Sequence, residues 1–225
     1  MYKHLLFDAD NTLLDFNEGE RCALRGALSS SPLEFSEDVY KRYHEINDGL
    51  WKKLELGEVD RVRLRTLRFE ILFEEYGFNG SDYGQFMDDI YINEISKQSQ
   101  LIDGAEDVVR SLAEKYELYI VTNASVYVQR KRLAKTFFSE CFKKYYISEE
   151  IGATKPQKEF FDKVIADIGD DRSSYLVIGD SLSSDIKGAM VSGLDSCYID
   201  RCGRGAEGYT PKYIIRDLRE LLDIL

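Results

Sequence analysis

The sequence predicts an α/β fold, a doubly wound parallel sheet interrupted by an inserted all-helical domain. From Gly104 onward, amphipathic helical segments alternate with the short apolar runs "LYIVTN", "KYYIS", "YLVIGD" and "SCYID". Continuous apolar strands between helices are typical of a parallel sheet that is covered on both faces. The early run "HLLFD", residues 4–8, is equally apolar, so we assign it to the same sheet.

About eighty residues of helical periodicity separate that first strand from the others. We therefore predict a sheet domain made of residues 1–15 and 98–225, and a helical domain made of residues 16–97. Hydrophobic residues recur there every three or four positions, and capping residues such as Ser36 and terminal glycines mark the helix ends. The three longest helices are expected at about 36–57, 60–76 and 81–97.

Two helix faces in the inserted domain can be predicted from the pattern. In the last of these helices Phe86, Ile90 and Ile95 share one side. The stretch "RVRLRTLRFE" is basic. We interpret it as a solvated helix face whose arginines pair with nearby acids. The residues concerned are Arg61, Arg63, Arg65 and Arg68, with Glu58, Asp60 and Glu70.

Composition narrows the possible partners. The net charge of -11 over 225 residues argues against a nucleic-acid polymer or an anionic membrane surface as a partner, since both would repel the protein. No signal-peptide pattern follows Met1, and no apolar run approaches roughly 18 residues, so we expect a cytoplasmic protein. The four cysteines lack C-x-x-C spacing and are expected to be reduced.

Polar side chains follow the strands of the predicted sheet at the point where each strand ends. In open α/β sheets, ligands bind outside the carboxyl ends of the strands. Residues from several strands should therefore converge at one edge and form a site. They are Asp8, Asp10, Thr122, Asn123, Lys155, Asp180 and Asp185.

This set carries more negative than positive charge. Two carboxylates 4 Å apart repel by about 4 kcal/mol at an effective dielectric constant near 20, and a single lysine cannot offset several such pairs. A divalent cation can, and an all-oxygen ligand set without histidine or cysteine favours Mg²⁺ over Zn²⁺. Carboxylates, a cation, a lysine and a hydroxyl together indicate a site for a phosphoryl group.

Four short motifs give the chain its resemblance to a known family. They are "DADNT" from Asp8, "VTNAS" with Thr122, "KPQKEFF" with Lys155, and "GDSLSSD" with Asp180 and Asp185. Each motif alone is weak, but all four in this order after successive strands form a strong signal. The chain resembles the haloacid dehalogenase superfamily of phosphohydrolases over essentially its whole length, and residues 16–97 resemble the helical cap of one large branch.

The resemblance implies a role for each catalytic residue. Asp8 would attack phosphorus and form an aspartyl-phosphate, and Asp10 would protonate the leaving group and later activate water. Thr122 and the backbone amide of Asn123 would hold phosphoryl oxygens. Lys155 would neutralise charge on Asp8 and on the phosphoryl group.

The resemblance also implies a Mg²⁺ site made of Asp8, the main-chain oxygen of Asp10 and Asp180, with Asp185 either as a further ligand or in contact with the ligands. Asp10 further discriminates within the superfamily. Dehalogenating members lack an acid two residues after the nucleophile, because they protonate no alkoxide and hold no metal. An aspartate at this position favours phosphate esters over carbon–halogen bonds.

The substrate is the least determined property. The stretches "INDGLWKKLELGEV" and "RFEILFEEYG" are similar to the cap of bacterial 5′-nucleotidases that act on pyrimidine nucleoside monophosphates. This similarity implies that Phe16, Asn47 and Trp51 lie near the base and sugar. Trp51 is also explained as a core residue of the helical domain, as aromatic residues at helical spacing often are.

Other functions stay open at this point. The motifs also permit a sugar-phosphate or phosphoglycolate phosphatase, or a phosphomutase. A regulatory module that binds a phosphorylated metabolite without turnover would be expected to have lost a catalytic residue, and Asp8, Asp10, Lys155 and Asp180 are all present. The partner is expected to be a small phosphorylated metabolite, and the protein a monomer or a homodimer.

Overall fold

A six-stranded, all-parallel sheet organises the larger part of the chain in the computed structural model, which describes residues 1–225. Its strand order is β3-β2-β1-β4-β5-β6, the doubly wound arrangement, and the predicted fold class is confirmed. The last strand was not predicted, because it is only three residues long. The strands are β1 (His4–Phe7), β2 (Glu117–Thr122), β3 (Phe142–Ile147), β4 (Tyr175–Gly179), β5 (Asp195–Ile199) and β6 (Tyr213–Ile215).

Alternation along the strands fills two cores, one on each face of the sheet. On β1, Leu5 and Phe7 belong to one hydrophobic cluster and Leu6 to the other, as the period of two in a strand requires. All four residues of β1 are buried, since this strand lies between β2 and β4. The carboxyl end of β1 is therefore held rigidly at the middle of the sheet.

Two compact units make up the chain, residues 1–16 with 99–225 around the sheet, and residues 17–98, which are helical. The helical unit contains α1 (Phe16–Leu28), α2 (Glu37–Glu55), α3 (Arg61–Glu75) and α4 (Gly84–Ile95). Ser36 and Asp60 cap α2 and α3 by accepting hydrogen bonds from main-chain N–H groups three residues on.

Shorter helices cover the sheet. They are α5 (Ala105–Ala113), α6 (Val126–Leu133), α7 (Phe138–Cys141), α8 (Ser148–Ile151), α9 (Lys158–Ile168), α10 (Lys187–Val191) and α11 (Leu221–Ile224). Before α10 the chain makes a π-helical turn, Leu182–Ile186. None of the helices is both long and apolar enough to cross a membrane.

The last long helix of the inserted domain buries a set of residues that only partly coincides with the side carrying Phe86, Ile90 and Ile95. In α4 the buried apolar residues are Met87, Tyr91 and Ile95, whereas Phe86 is 47% exposed. The buried stripe also includes Asp88, which forms ion pairs with arginines of α3. Ile95 belongs to both sets, and the rest of the buried stripe could not be read from the apolar residues alone because a charged residue occupies one of its positions.

The arginines of α3 are likewise only partly as predicted. Arg63 pairs with Glu70 on the surface, at 2.5 and 2.7 Å. Arg68, however, is buried and donates to Asp88 Oδ1 at 2.9 Å, and Arg65 donates to Asp88 Oδ2 at 2.6 Å. The shared carboxylate links α3 to α4, so this basic stretch does not form a fully solvated face.

The chain leaves and rejoins the sheet unit through two adjacent segments. Asp15 N–H donates to Gln100 O at 2.8 Å, and Ile102 N–H donates to Leu13 O at 2.9 Å. Backbone hydrogen bonds thus tie together the two ends of the segment that carries the helical unit.

Candidate active site

The loop that follows β1 turns back sharply and is bonded to the neighbouring strand. Asp8 N–H donates to Ile178 O at 2.8 Å, which holds Asp8 directly at the end of β1. Asn11 has a φ of 55°, a left-handed conformation that asparagine tolerates better than most residues. The turn brings the buried Thr12 to Asp180, and the Thr12 hydroxyl donates to Asp180 Oδ1 at 3.2 Å.

Lys155 lies at the centre of the site. Its ammonium group is buried and donates to Asp8 Oδ1 at 2.6 Å, to Asp185 Oδ1 at 2.6 Å and to Val121 O at 2.8 Å. All three ammonium hydrogens therefore have acceptors. The structure brings Asp8, Lys155 and Asp185 into direct contact, although they are far apart in the sequence.

Asn123 fixes the backbone of Lys155. Its side-chain NH₂ donates to Lys155 O at 2.8 Å, and its Oδ1 accepts from Lys155 N–H at 2.9 Å. The same NH₂ group approaches Ser184 Oγ at 3.3 Å. The sequence suggested only the Asn123 backbone amide as a phosphoryl ligand, so the structural role of its side chain was missed.

The π-helical turn after β4 places a carboxylate oxygen of Asp185 within 4.8 Å of one of Asp180. Asp185 Oδ2 accepts from Ser181 N–H at 3.1 Å, so both of its oxygens have donors. A Cβ atom at Gly179 would lie 2.2 Å from Asp185 Oδ2, which explains why a glycine ends this strand.

Three carboxylates form a cluster with few cations around it. Ligand oxygens of Asp8, Asp180 and Asp185 all lie within 4.8 Å of one another. Burial and the charge of Asp185 raise the pKa of Asp180 to about 7. Burial also raises the pKa of Asp8 well above its usual range, although Lys155 acts against this rise. A compact all-oxygen donor set that carries three carboxylates against the single charge of Lys155 fits a divalent cation such as Mg²⁺.

The Asp10 side chain lies outside this cluster. Its Oδ1 accepts from Arg132 Nη1 at 2.5 Å, and its side chain is 25% exposed. Arg132 is buried and also donates to Gln129 Oε1 at 3.0 Å, while Gln129 Nε2 approaches Thr122 Oγ1 at 3.5 Å. Neither Arg132 nor Gln129 was predicted to belong to the site.

Arg201 is a further residue that the sequence did not single out. It follows β5, and its guanidinium group donates to the main-chain oxygens of Asn11 and, at 3.1 Å, Thr12. These bonds brace the loop that carries Asp8 and Asp10. No family motif contains this arginine, and only its position near a strand end could have indicated it.

The residues proposed to contact the base and sugar have different environments. Asn47 is buried in the helical unit, where it donates to Glu20 Oε1 at 2.8 Å and accepts from Arg68 at 3.3 Å. Both polar ends of its amide are therefore engaged within that unit, which gives it a structural role. Trp51 and Phe16 are half-buried, and their proximity to a substrate stays a prediction.

Comparison with known proteins places these motifs in a family. A family model described as haloacid dehalogenase-like hydrolase matches residues 2–193. The HAD-hydrolase YfnB of Bacillus subtilis is 38% identical over 226 residues, covering 100% of this chain and 95% of that protein. A crystal structure of YfnB, described as bound to magnesium, has a TM-score of 0.92 and covers 100% of this chain and 98% of that one.

Two further relatives have named activities. The pyrimidine 5′-nucleotidase PynA of Streptococcus pneumoniae is 34% identical, covering 100% of this chain and 95% of that protein. The pyrimidine 5′-nucleotidase YjjG of Escherichia coli is 28% identical, covering 98% of this chain and 96% of that protein.

Proposed function

Since the chain belongs to the haloacid dehalogenase-like hydrolase family, we propose that it is a Mg²⁺-dependent phosphomonoesterase acting through an aspartyl-phosphate. The observation that carries this proposal is the cluster of Asp8, Asp180 and Asp185 around the buried Lys155. Such a cluster can receive a cation and a phosphoryl group together. The names of the relatives PynA and YjjG support phosphate-ester hydrolysis.

In the first step an Asp8 carboxylate oxygen attacks phosphorus, and a new oxygen–phosphorus bond forms. The ester bond to the leaving group breaks with its electron pair on the leaving oxygen. That oxygen takes the proton of Asp10. The alcohol leaves, and the phosphoryl group stays on Asp8.

In the second step a water oxygen attacks the same phosphorus. The bond between phosphorus and the Asp8 oxygen breaks, and the electron pair returns to the carboxylate. Asp10 accepts the proton of the water and is thereby restored to its starting form. The products are one alcohol and one phosphate for each water consumed.

The remaining polar residues bind and orient the phosphoryl group. Lys155 holds Asp8 through one oxygen and leaves the other free, and its charge offsets that of the phosphoryl oxygens. The Thr122 hydroxyl lies at the end of β2, next to the Asn123 backbone amide, and both are proposed to donate to phosphoryl oxygens. The Asn123 side chain keeps Lys155 in place.

The cation would be held by the Asp8 carboxylate, the main-chain oxygen of Asp10 and Asp180. Bound there, Mg²⁺ would offset the excess negative charge of the carboxylates and of the phosphoryl group. Asp185 already accepts from Lys155 and Ser181 through its two oxygens, so we assign it a supporting role around the ligands.

For the substrate we propose a pyrimidine nucleoside 5′-monophosphate, with the helical segment 16–97 acting as a cap that selects the leaving group. The support is the named activity of PynA and YjjG, which this chain matches over nearly its whole length. A small phosphorylated metabolite also suits a negatively charged protein, because the cation and Lys155 provide the local positive charge.

Phosphate release from a panel of metabolites tests the proposal. The panel contains UMP, dUMP, dTMP, sugar phosphates and phosphoglycolate, each with Mg²⁺ and with EDTA, and Asp8→Asn serves as the inactive control. We expect the pyrimidine nucleotides to have the highest kcat/KM. Faster turnover of a sugar phosphate would reject the nucleotidase assignment, and undiminished turnover in EDTA or by Asp8→Asn would reject the mechanism.

A further inference from the structure

A row of hydrogen bonds connects the proposed proton carrier to the proposed phosphoryl ligand. Asp10 Oδ1 accepts from Arg132 Nη1 at 2.5 Å, and the same nitrogen donates to Gln129 Oε1 at 3.0 Å. Gln129 Nε2 then approaches Thr122 Oγ1 at 3.5 Å. Residues of the first two motifs are thus joined through two side chains of α6 that belong to neither motif.

Arg132 differs from the other basic residues of α6. Arg130 forms an exposed ion pair with Glu150 at 2.6 Å, and Lys131 donates to the exposed Tyr127 hydroxyl. The Arg132 side chain is only 1% exposed, although an arginine loses much solvation when it is buried. Its guanidinium group lies 5.5 Å from the Phe16 ring, which helps to hold its plane.

A surface ion pair would give Asp10 no fixed orientation, because both side chains would stay mobile. A buried guanidinium that is also bonded to Gln129 is rigid, so it fixes the carboxylate that it contacts. The contact occupies Oδ1 of Asp10 and leaves Oδ2 as the oxygen that can carry the transferred proton. Arg132 therefore fixes the orientation of the Asp10 carboxylate by holding the oxygen that does not carry the proton.

We propose that Arg132, supported by Gln129, is a positioning residue. It orients Asp10 toward the leaving-group oxygen and holds it at a fixed position relative to Thr122. The proposal deepens the phosphatase mechanism and rests on it. During cleavage of the ester bond, the electron pair goes to the leaving oxygen and the proton goes from Asp10 to that same oxygen. Arg132 itself exchanges no proton.

The role can be measured through the leaving group. An alkyl phosphate such as UMP releases a strongly basic alkoxide, which needs the proton of Asp10, whereas p-nitrophenyl phosphate releases a stable phenolate that needs it far less. The kcat/KM value reports the step that cleaves this bond. Since general acid catalysis contributes about 10²- to 10⁴-fold, we expect Arg132→Lys to lower kcat/KM about tenfold or more for UMP and less than about threefold for p-nitrophenyl phosphate.

Two further variants separate positioning from a merely structural role. Gln129→Leu removes the support for Arg132 at similar size, and it should shift the ratio of the two kcat/KM values in the same direction by a smaller factor. In an Asp10→Asn background, Arg132→Lys should add almost nothing, because residues that act through one another are not additive. Arg172→Lys is the matched control. Arg172 lies just before β4, at the amino ends of the strands, and pairs with Asp162. Its substitution should leave the ratio of the two kcat/KM values unchanged.

The outcomes are distinguishable. If the wild-type protein hydrolyses neither compound with Mg²⁺, the proposed function itself fails. If it hydrolyses p-nitrophenyl phosphate but not UMP, the comparison is made with another alkyl phosphate of the metabolite panel, one that the protein does hydrolyse. If Arg132→Lys and Gln129→Leu lower both kcat/KM values by equal factors, or if Arg132→Lys has its full effect in the Asp10→Asn background, the positioning role is wrong.

Discussion

The two units differ in how well their buried carboxylates are matched by positively charged partners. The helical unit surrounds its buried carboxylates with positively charged partners. Asp88 accepts from both Arg65 and Arg68, and the fully buried Glu20 accepts from His44 at 2.6 Å as well as from an amide. Four helices contribute to this network, which links them in one arrangement.

In the sheet unit, the clustered carboxylates outnumber their positively charged partners. Asp8, Asp180 and Asp185 lie within 4.8 Å of one another, and Lys155 donates to only two of them. Buried ion pairs are costly, and an unpaired buried carboxylate costs more. A balanced buried network therefore indicates a structural role, whereas an excess of one charge indicates a place for a ligand of the other sign.

Removal of a carboxylate charge should have opposite effects on stability in the two units. The largest effect of all is expected on the activity of Asp8→Asn. We expect activity to fall by at least about 10⁴-fold, because the proposed nucleophile is lost. The melting temperature should stay equal or rise, since one of the crowded carboxylates is gone. Phosphate release and thermal unfolding measured on the same preparation test both parts. A marked loss of stability would mean that the cluster is already balanced without a ligand.

Mg²⁺ should stabilise the protein through the same cluster. At a concentration 100 times its Kd, a bound cation stabilises the folded state by about 2.7 kcal/mol. We expect Mg²⁺ to raise the melting temperature of the wild-type protein and EDTA to abolish activity. Asp180→Asn should lose most of the thermal shift, whereas Asp103→Asn, at an exposed aspartate, should keep it. An equal shift in both variants would place the cation elsewhere.

In the helical unit, loss of a carboxylate should destabilise. Asp88→Asn leaves Arg68 buried without an anionic partner, and breaking a buried pair in this way costs about 3 to 5 kcal/mol. The unfolding midpoint in urea should fall accordingly, while hydrolysis of p-nitrophenyl phosphate persists where the variant is folded. Asp89→Asn, at an exposed position on the same helix, is the control and should change little. Equal stability of the two variants would contradict a structural role for the network.

The smallest effect is expected for the pH dependence of His44. Its hydrogen bond to Glu20 raises the pKa of His44 above its ordinary value of 6.5, helped by the charges of Asp48 and Glu45 and opposed by partial burial. The stabilisation by protonated His44 is then fully present below pH 6.5 and is lost as the pH rises through the folded-state pKa.

Relative to His44→Gln, the wild-type protein should be more stable at acidic pH by less than about 1 kcal/mol, since the histidine is half-exposed. The advantage should vanish at alkaline pH. Melting temperatures of both proteins across this range provide the check. A difference that grows with pH would show that neutral His44 is the better partner for Glu20.

The apolar patterns predicted the fold class and the convergence of residues at the strand ends. They failed where charge replaces hydrophobicity inside the protein. Asp88 and Arg68 occupy buried positions in helices, so the apolar residues of α4 marked its buried stripe only in part, and the basic stretch of α3 was interpreted as solvated.

Arg132 was missed for a related reason. It stands in the run "QRKRL", where nothing in the residue types distinguishes the buried arginine from its exposed neighbours. Arg201 and the side chain of Asn123 act on main-chain atoms, and such contacts leave no pattern in a sequence. Even with the motifs in hand, the supporting residues could be found only in three dimensions.

The hydrogen-bonded ends of the helical insertion allow the insertion to be replaced as a whole. The hydrogen bonds of Asp15 with Gln100, and of Ile102 with Leu13, belong to the sheet unit and close the gap from which residues 17–98 emerge. A different insert with equally close ends could be grafted at this point without shifting the register of any strand. Under the proposed function, exchange of the whole insertion would alter selectivity for the alcohol, while the proposed chemistry around Asp8 would be inherited unchanged.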